Sequence, residues 1–479
     1  MTEPFPSLLI RAGSISAQGS FAEAQASYLD PDPAEVVALA RLLGEKNAGI
    51  VAHFYMDPEL QGVLAATDWP FIHISDSLVM ADRAVEMAKA GAKTIVVLGV
   101  DFMSENVRAM LDASGFAHVP VYRVAERAIG CSLAENAEAP AYGAYLTRAQ
   151  QTPKSLHVVY INTSLRTKAY AQSLVPTITC TSSNVVKTVL QAFAQIPGVH
   201  VWFGPDTYMG RNLAQLFASL AELPDQTVRA LHPAHDRATL AALLPRFHFF
   251  EQGSCIVHHL FGAAVAQRVQ KEYADAFVTA HLEVPGEMFR VALAAQQSGR
   301  GVVGSTSDIL SFIGKQLDRA VQAGVPGHLR FVLGTEAGMI TSIVRRVRQT
   351  LREVEAQGGP AVDVEIIFPV AAEAIAQTGE ADLAVVPGVS GGEGCSVEGG
   401  CATCPYMKMN SLDALMSVLG RVGAEPRLEL AAYEPKHYAD LIGGKTMAEL
   451  GGVPILHMRE LGRLGRLPDA LVDDVLSRS

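Results

Sequence analysis

The chain has 479 residues, and at about 150 residues per domain this length predicts about three domains. Hydrophobic residues make up 49% of the chain and charged residues 18%, a globular composition that excludes a disordered or fibrous protein. The formal net charge of −11 excludes the broad positive field that attracts nucleic acids or anionic membranes, so we expect neither as a partner. Apolar runs are the length of buried strands, well short of the ~20 residues that cross a bilayer.

The first thirty residues bear on the cellular location. They contain the acids Glu3, Glu23 and Asp30, a single basic residue, Arg11, and no apolar core. A signal peptide needs a basic start followed by an apolar core, and transit peptides are poor in acids. We therefore expect neither kind of leader, and we expect a cytoplasmic protein.

Three stretches of the chain repeat one order of elements: a strand, a helix that starts near Ser or Thr, and a strand followed by glycine, any residue and an acid. The hydroxyl residue and the glycine are 22 positions apart in the first two stretches and 28 apart in the third. Such self-similarity predicts a triplicated α/β unit. In chain order the predicted strands cover 50–52, 94–98, 158–162, 199–203, 278–283 and 329–333, the hydroxyl residues are Ser77, Ser182 and Thr306, and the acids are Asp101, Asp206 and Glu336.

The hydroxyl residue at each helix start has two interpretations. Ser and Thr are common N-caps, whose side-chain oxygen accepts a hydrogen bond from a free backbone N–H. Ligands of open α/β sheets, however, bind beyond the carboxyl ends of the strands, where helix N-termini favour anions. The sequence leaves both interpretations open for each of the three residues.

Six cysteines are too few for a disulfide framework. One cysteine follows the glycine-x-acid element of each unit: Cys131, Cys255, and in the third unit a glycine-rich stretch around Cys395 that leads to Cys401 and Cys404. Three related units around an axis would bring one thiol each to a common centre. The sixth cysteine, Cys180, lies in a strand-to-helix turn, and we expect it to be structural.

Three such thiols have several chemical uses. They hold a structural zinc ion only with a fourth protein ligand. On a 4Fe-4S cluster they leave one iron without a protein ligand, and that iron acts as a Lewis acid. They can also be inert buried thiols, and Cys401-x-x-Cys404 can form a redox pair.

The motifs of the three units resemble those of the quinolinate synthase family. They keep the family's order between residues 50 and 412. The matching segments are His53–Gln61, Asp76–Leu78, Gly99–Met103, Gly130–Leu133, Tyr160–Ser164, Cys180–Asn184, Gly204–Asp206, Ala280–Glu283, Val303–Thr306, Gly334–Glu336 and Cys404–Asn410.

The resemblance implies both a fold and a reaction. The fold is α/β, with three αβα domains related by a pseudo-threefold axis, each with a short, mostly parallel sheet, and with the active site on the central axis. The reaction condenses iminoaspartate with dihydroxyacetone phosphate to give quinolinate, phosphate and water in the de novo biosynthesis of NAD. Its cofactor is a 4Fe-4S cluster with three cysteine ligands and an open iron, for which the resemblance selects Cys131, Cys255 and Cys404.

The family motifs also suggest roles for other side chains. We expect Glu283 to be the general base, Tyr55 and Tyr160 to exchange protons with the developing enol and carbonyl groups, and His258 to act in acid catalysis. The remaining candidates would bind substrate carboxylate, phosphate or oxygen atoms, and they are His53, Ser77, Asn162, Ser182, His281 and Thr306.

The predicted division of the chain is an N-terminal extension (1–43), three αβα domains (44–148, 149–270 and 271–410) and a C-terminal extension (411–479). The two extensions indicate a long-form subgroup and would either mediate oligomerisation or cover surface. Ile256 and Leu282 stand where many relatives have proline, but the neighbouring functional side chains are kept. Beyond the two substrates, we expect at most a transient contact with the oxidase that produces iminoaspartate.

Two other functions compete with this one. A different iron–sulfur hydro-lyase would use the open iron to dehydrate a single hydroxy acid and would need no triose phosphate. A non-catalytic cluster or redox sensor would use Cys401 and Cys404 as its switch and would tolerate loss of the Glu283 carboxylate.

Overall fold

The computed structural model describes residues 4–255, 257–369, 404, 406–423 and 427–478. Short, mostly parallel sheets with flanking helices form its body, so the predicted α/β class is confirmed. Within these residues no helix combines the length and the apolar character needed to span a bilayer.

The strands occur throughout the described chain. In order they are β1 (Ser7–Ile10), β2 (Ile15–Gln18), β3 (Ala48–His53), β4 (Ile72–Ser75), β5 (Thr94–Leu98), β6 (Val121–Tyr122), β7 (Ser155–Tyr160), β8 (Thr177–Cys180), β9 (His200–Gly204), β10 (Phe247–Phe249), β11 (Phe277–His281), β12 (Gly301–Gly304), β13 (Gly327–Gly334), β14 (Val362–Ile367), β15 (Leu441–Ile442) and β16 (Lys445–Thr446).

The helices alternate with these strands and also form much of the C-terminal region. In order they are α1 (Ser20–Ser27), α2 (Pro33–Lys46), α3 (Pro58–Ala66), α4 (Ser77–Lys89), α5 (Asp101–Ala113), α6 (Ser132–Glu138), α7 (Pro140–Gln150), α8 (Leu165–Leu174), α9 (Val185–Gln195), α10 (Thr207–Leu220), α11 (Asp225–Leu231), α12 (Arg237–Leu243), α13 (Ala263–Glu272), α14 (Gly286–Gln297), α15 (Thr306–Gln322), α16 (Ile340–Ala356), α17 (Leu412–Arg421), α18 (Met447–Leu464) and α19 (Asp469–Ser477).

Three parallel sheets share one strand order. The first is β4-β3-β5-β6, the second is β8-β7-β9-β10, and the third contains β12-β11-β13-β14. In each, the strand that comes first in the chain lies between the second and the third, and every pair within these four strands is parallel. The repeated strand order agrees with the repeat predicted from the sequence, while the number of domains and their boundaries stay predictions.

The N-terminal residues enlarge the third sheet. Strand β1 pairs antiparallel with β14, and β2 pairs antiparallel with β1, which gives a sheet of six strands. The guanidinium of Arg11 lies 3.0 Å from the Asp363 carboxylate across this junction. Part of the predicted N-terminal extension is therefore built into the sheet of the third unit.

The C-terminal region packs on the first two units. Helix α17 contacts α2, and the long helix α18 lies along α8 and also contacts β8 and α5. The described part of the C-terminal extension therefore covers helices that flank the first and second sheets.

One hydrophobic core connects the sheets. Val97 of β5, Val158 of β7 and Val332 of β13 are all at most 1% exposed and belong to one contiguous cluster. Burying a side chain of this size contributes about 1.5–3 kcal/mol, so the shared core fixes the sheets relative to one another.

The first strand of each parallel sheet ends in a predicted site residue. Strand β3 ends at His53, β7 at Tyr160 and β11 at His281. Ligands of α/β sheets bind beyond the carboxyl ends of the strands, so we expect the ligand site in the space beyond these three ends.

Candidate active site

One cavity is lined by residues that follow strands of all three parallel sheets. With the exception of His258, every residue predicted for the site lies on its wall. Those residues are His53, Tyr55, Ser77, Cys131, Tyr160, Asn162, Ser182, Cys255, His281, Glu283, Thr306 and Cys404.

The three predicted thiol ligands come together on this wall. Cys131, Cys255 and Cys404 are half-buried and free of disulfide bonds. Burial raises the pKa of the Cys131 thiol to about 12 and raises the pKa of the other two well above the usual range. A thiolate forms in such surroundings when a metal cation compensates its charge, and soft thiolates select zinc or iron–sulfur clusters. The donor chemistry of the three cysteines therefore suits zinc or an iron–sulfur cluster, although their sulfur atoms are not all within 4.8 Å of one another.

The other three cysteines are not among the described residues of the cavity wall. Cys180 is fully buried at the end of β8 in the main hydrophobic core, as expected for a structural residue. Cys395 and Cys401 lie outside the described residues, so the Cys401–Cys404 redox pair stays a prediction.

Glu283 is the centre of a buried polar network. The Tyr160 hydroxyl donates a short hydrogen bond to Oε1 of Glu283, and Glu283 is only 3% exposed. His258 Nδ1 lies 3.2 Å from Oε2, and His281 Nδ1 lies 3.7 Å from Oε1. Burial alone would raise the pKa of Glu283, but the imidazoles of His258 and His281 and the Tyr160 hydroxyl outweigh it and lower the pKa to about 2. Glu283 is therefore a carboxylate at neutral pH.

His258 occupies a different position from the one expected. It is 1% exposed, and its ring stacks on that of His281 with the centroids 4.8 Å apart. It therefore lies behind Glu283 and outside the residues that line the cavity. From this position it can set the charge and orientation of Glu283, but it does not face the cavity itself.

The two histidines on the wall are uncharged at neutral pH. Burial lowers the pKa of His53 to about 3 and that of His281 to about 4. A neutral imidazole offers one N–H donor and one nitrogen acceptor. These rings can hydrogen-bond a substrate carboxylate, but they do not supply the positive charge that an acid catalyst or a salt bridge needs.

Tyr55 connects the first unit to the third. Its hydroxyl lies 2.8 Å from Oγ1 of Thr306 and 3.1 Å from Oγ1 of Thr335, and its ring packs edge-on against His53. Burial raises the pKa of Tyr55 and of Tyr160 well above the usual value. Both phenols are protonated at neutral pH and can donate a hydrogen bond or a proton.

The hydroxyls of Ser77 and Thr306 do not act as helix N-caps. Helix α4 begins at Ser77, but Asp76 is its N-cap and accepts hydrogen bonds from two backbone N–H groups of the first turn. Helix α15 begins at Thr306, and here Ser305 is the N-cap, with Oγ 3.2 Å from a backbone nitrogen of the first turn. The N-cap interpretation is therefore wrong for Ser77 and Thr306, whose side chains line the cavity.

The second sheet contributes Ser182 and Asn162. Ser182 precedes helix α9, whose N-cap is Asn184, so the N-cap interpretation is wrong for this hydroxyl as well. Asn162 lies in the loop between β7 and α8 and lines the cavity. Both side chains can hydrogen-bond an oxygen-rich ligand.

Other wall residues were outside the predicted site. Glu336 is 3% exposed, and its Oε2 has no hydrogen-bond partner among the described residues. Burial, together with the charge of Glu283, raises the pKa of Glu336 well above its usual range. The glycine-x-acid pattern had marked Glu336 without giving it a role. Met103 and Tyr406 also line the cavity, and nothing in the residue pattern assigned them to it.

A second donor group overlaps the three cysteines. Ligand atoms of Cys255, His258 and Glu283 lie within 4.8 Å of one another and could hold a metal ion. The described wall contains no lysine or arginine. Anions that enter must therefore be met by hydroxyls, amides, neutral imidazoles, helix N-termini or a bound metal.

Comparison with known proteins identifies relatives over the whole chain. A family model described as quinolinate synthetase A protein matches residues 37–360. Quinolinate synthase, chloroplastic, of Nicotiana tabacum is 54% identical over 100% of this chain and 67% of the relative. The proteins of the same name from Oryza sativa subsp. japonica and Arabidopsis thaliana are each 53% identical over 99% of this chain, and over 69% and 67% of their own lengths. The chain thus spans about two thirds of these relatives.

The relatives overturn the predicted location. All of those named are chloroplastic, which contradicts the cytoplasmic location expected from the first thirty residues. The expectation rested on the local composition of those residues. Organelle addresses are carried by removable segments and are independent of the composition of the folded body.

The comparisons agree with the resemblance that the motifs suggested. The family model covers the first two parallel sheets and strands β11, β12 and β13 of the third, including the strand ends that line the cavity. The identity to the plant proteins extends through both terminal extensions. This chain therefore belongs to the quinolinate synthase family.

Proposed function

We propose that the protein condenses iminoaspartate with dihydroxyacetone phosphate to form quinolinate, with release of phosphate and two water molecules, as a step of NAD biosynthesis. The observation that carries this proposal is that three thiols, one from each repeated unit, line the same cavity as Tyr55, Tyr160 and Glu283. The names of the relatives support the same activity.

The proposed cofactor is a 4Fe-4S cluster held by Cys131, Cys255 and Cys404. The soft donor set and its placement on an otherwise acidic and neutral wall support it. When bound through three thiolates, such a cluster supplies Lewis acidity at the iron that has no protein ligand.

The side chains would divide substrate binding between them. Ser77, Ser182 and Thr306 place hydroxyls at or near helix starts, where backbone N–H groups and the helix dipole favour carboxylate and phosphate. His53 and His281, as neutral rings, would add single hydrogen bonds without a charge. Because hydroxyls and amides reorient more readily than a fixed arginine fork, this wall suits successive intermediates of different shape.

Proton transfer would be the task of the tyrosines and Glu283. Tyr55 and Tyr160 hold a proton at their hydroxyl oxygens at neutral pH, and they can donate it to an enolate or carbonyl oxygen. Glu283 accepts the hydrogen bond of Tyr160 and so keeps that hydroxyl oriented. As a carboxylate with His258 behind it, Glu283 can also take a proton from a substrate carbon or nitrogen and share the resulting charge change with the imidazole.

A second function rests on the Cys255, His258 and Glu283 group. If these three residues held a single metal ion, the site would be a mononuclear metal centre suited to dehydrating one hydroxy acid. In this case Cys131 and Cys404 would have no role as ligands, and the protein would need no triose phosphate.

One assay separates these functions. The protein is purified without oxygen, its iron and acid-labile sulfide are measured per chain, and iminoaspartate and dihydroxyacetone phosphate are supplied together and singly. The proposal expects iron and sulfide in equal amounts and quinolinate only when both substrates are present. A single metal without sulfide, together with no quinolinate, would overturn it.

A further inference from the structure

Lys168 of helix α8 is completely buried, which is unusual for a lysine. Its exposed fraction is 0%, although lysine is almost never fully buried unless it is paired. Its Nζ donates hydrogen bonds to the carbonyl oxygens of Ile161, at 3.1 Å, and of Thr163. These two carbonyls flank Asn162, whose side chain lines the cavity. The amine of Lys168 is thus hydrogen-bonded to the loop of Asn162 on both sides of that residue.

Glu105 of helix α5 is the buried counter-charge. It is 1% exposed. Burial lowers the pKa of Lys168 to about 7, and the nearby Glu105 carboxylate opposes this shift. Nζ of Lys168 also lies 5.9 Å from the centre of the Phe102 ring. Oε2 of Glu105 accepts a hydrogen bond from the backbone N–H of Leu165, the first residue of α8, at 3.0 Å. One carboxylate therefore holds the helix that begins where the Asn162 loop ends.

The C-terminal extension supplies the third member of this group. The Tyr438 hydroxyl donates a hydrogen bond to Oε1 of Glu105 at 2.9 Å. Helix α18 touches the start of α8 so closely that a Cβ atom on Gly451 would lie 2.3 Å from the carbonyl oxygen of Leu165. Farther along α18, His457 Nδ1 lies 2.9 Å from the carbonyl oxygen of Thr177. The extension is thus packed against the elements that carry the Asn162 loop.

We infer that Tyr438, Glu105 and Lys168 form an internal brace that positions Asn162, so that the C-terminal extension is part of the support of the active site. Tyr438 holds Glu105, Glu105 holds the first residue of α8, and Lys168 holds the two carbonyls beside Asn162, so the three side chains act on one segment. The role of Asn162 in the reaction rests on the proposed function, whereas the brace itself is a property of the fold. Glu105 and Lys168 are positioning residues, since neither lines the cavity.

The experiment uses three variants of the full chain. Tyr438→Phe removes only the hydroxyl from the extension. Lys168→Met combined with Glu105→Gln removes both buried charges together, which avoids leaving one of them unpaired. Tyr433→Phe is the matched control, because Tyr433 is also in the extension and donates to a carboxylate, that of Glu126 at 2.9 Å.

The first readout is amide hydrogen exchange of the peptide that spans residues 160–168, which does not depend on catalysis. We expect Tyr438→Phe and the double charge variant to speed its exchange about tenfold, the size of effect expected from one hydrogen bond to a charged group. The control variant should leave it unchanged. Unchanged exchange in both test variants overturns the brace, even if the wild-type protein makes no quinolinate.

The second readout is a double-mutant cycle with Asn162→Ala in kcat/KM for quinolinate formation. A side chain misplaced by about 1 Å can cost about 100-fold, so we expect large losses from Asn162→Ala and from the double charge variant. When the two changes are combined, the loss should be no greater than that of Asn162→Ala alone. Losses that multiply would show that Lys168 and Glu105 act independently of Asn162. A wild-type protein that forms no quinolinate would instead refute the proposed function.

Discussion

The hydroxyl of Tyr55, which follows the first strand of the first sheet, lies 2.8 Å from Oγ1 of Thr306, the first residue of a helix that flanks the third sheet. A second hydroxyl of the third unit, Oγ1 of Thr335, lies 3.1 Å from the same phenol oxygen. The bond therefore crosses between repeated units, and both of its members line the cavity. Because Tyr55 and Thr306 share this hydrogen bond, a double-mutant cycle can measure the coupling energy between them.

Tyr55→Phe and Thr306→Val should show strong coupling. Removing the phenol hydroxyl takes away a proton donor, and we expect kcat to fall about 100-fold or more. Thr306→Val should cost about tenfold through the lost orientation. Because the two changes remove the same bond, the double variant should be about as slow as Tyr55→Phe, with a coupling energy of about 1–2 kcal/mol. Tyr170→Phe, at a side chain 44% exposed, is the control.

The three thiols should be equally necessary for the metal centre. Serine at Cys131, Cys255 or Cys404 replaces a soft thiolate with a hard and weakly acidic hydroxyl, so iron and sulfide content and the visible absorption should fall to background in each variant. Cys180→Ala, at the buried cysteine of the core, should keep both. If Cys401→Ser abolished the centre and Cys404→Ser did not, Cys404 would be the wrong third ligand.

Glu283→Gln should stop the reaction while leaving the metal centre in place. The amide keeps the size of the side chain, but it cannot accept a proton and no longer carries the charge that faces His258 and Tyr160. We expect kcat to fall about 10²–10⁴-fold, the usual contribution of a positioned acid–base group. Glu287→Gln, four residues later on an exposed part of α14, should be nearly silent. Turnover at the wild-type rate by Glu283→Gln would show that Glu283 is not the general base.

His157 should make the protein less stable as the pH falls. It is fully buried in β7, with Nε2 2.8 Å from the Tyr142 hydroxyl, and burial lowers its pKa to about 3. An unfolded histidine has a pKa of about 6.5, so below this pH the unfolded chain takes up a proton that the folded chain refuses. The folded state therefore loses about 2 kcal/mol between pH 6.5 and pH 5 from this group.

The check on His157 is a pair of thermal unfolding midpoints at pH 7 and pH 5. His157→Gln keeps a hydrogen-bonding side chain that does not titrate, so its midpoint should move less between the two pH values than that of the wild type. His118→Gln, at an exposed position, should keep the wild-type difference. An equal difference in His157→Gln would contradict this origin of the acid sensitivity.

Much of the site could be predicted because its chemistry follows local patterns. A strand that ends in His53, Tyr160 or His281 places that side chain at the carboxyl edge of its sheet, and the repeated units bring three such edges to one cavity. The helix starts were ambiguous for a local reason. Asp76 and Ser305 are as able to cap as their neighbours Ser77 and Thr306, and only the backbone angles decide which residue is the N-cap.

The rest depended on contacts between distant parts of the chain. Lys168 has the sequence context of a solvated helix residue. In the fold, helix α18 of the extension packs on its helix, and Glu105, which is 63 positions earlier in the chain, lies in the same buried region. His258 lies three positions after a predicted cysteine ligand in the sequence, yet in the fold its Nδ1 lies 3.2 Å from Glu283 and it is outside the residues that line the cavity. The pairing of β1 with β14 joins residues about 360 positions apart and leaves no local signature.

The pairing of β1 with β14 protects one edge of the third sheet from pairing with other molecules. Without β1, the backbone N–H and C=O groups of β14 would be open to strands of other molecules, which is a common route to aggregation. In the folded chain β14 is covered on that side by β1, and β1 by the short strand β2, in which Ser16 and Gln18 are exposed polar residues. Removing residues 4–18 would therefore expose the edge of β14, a strand whose residues do not line the described cavity, and we expect the truncated protein to aggregate.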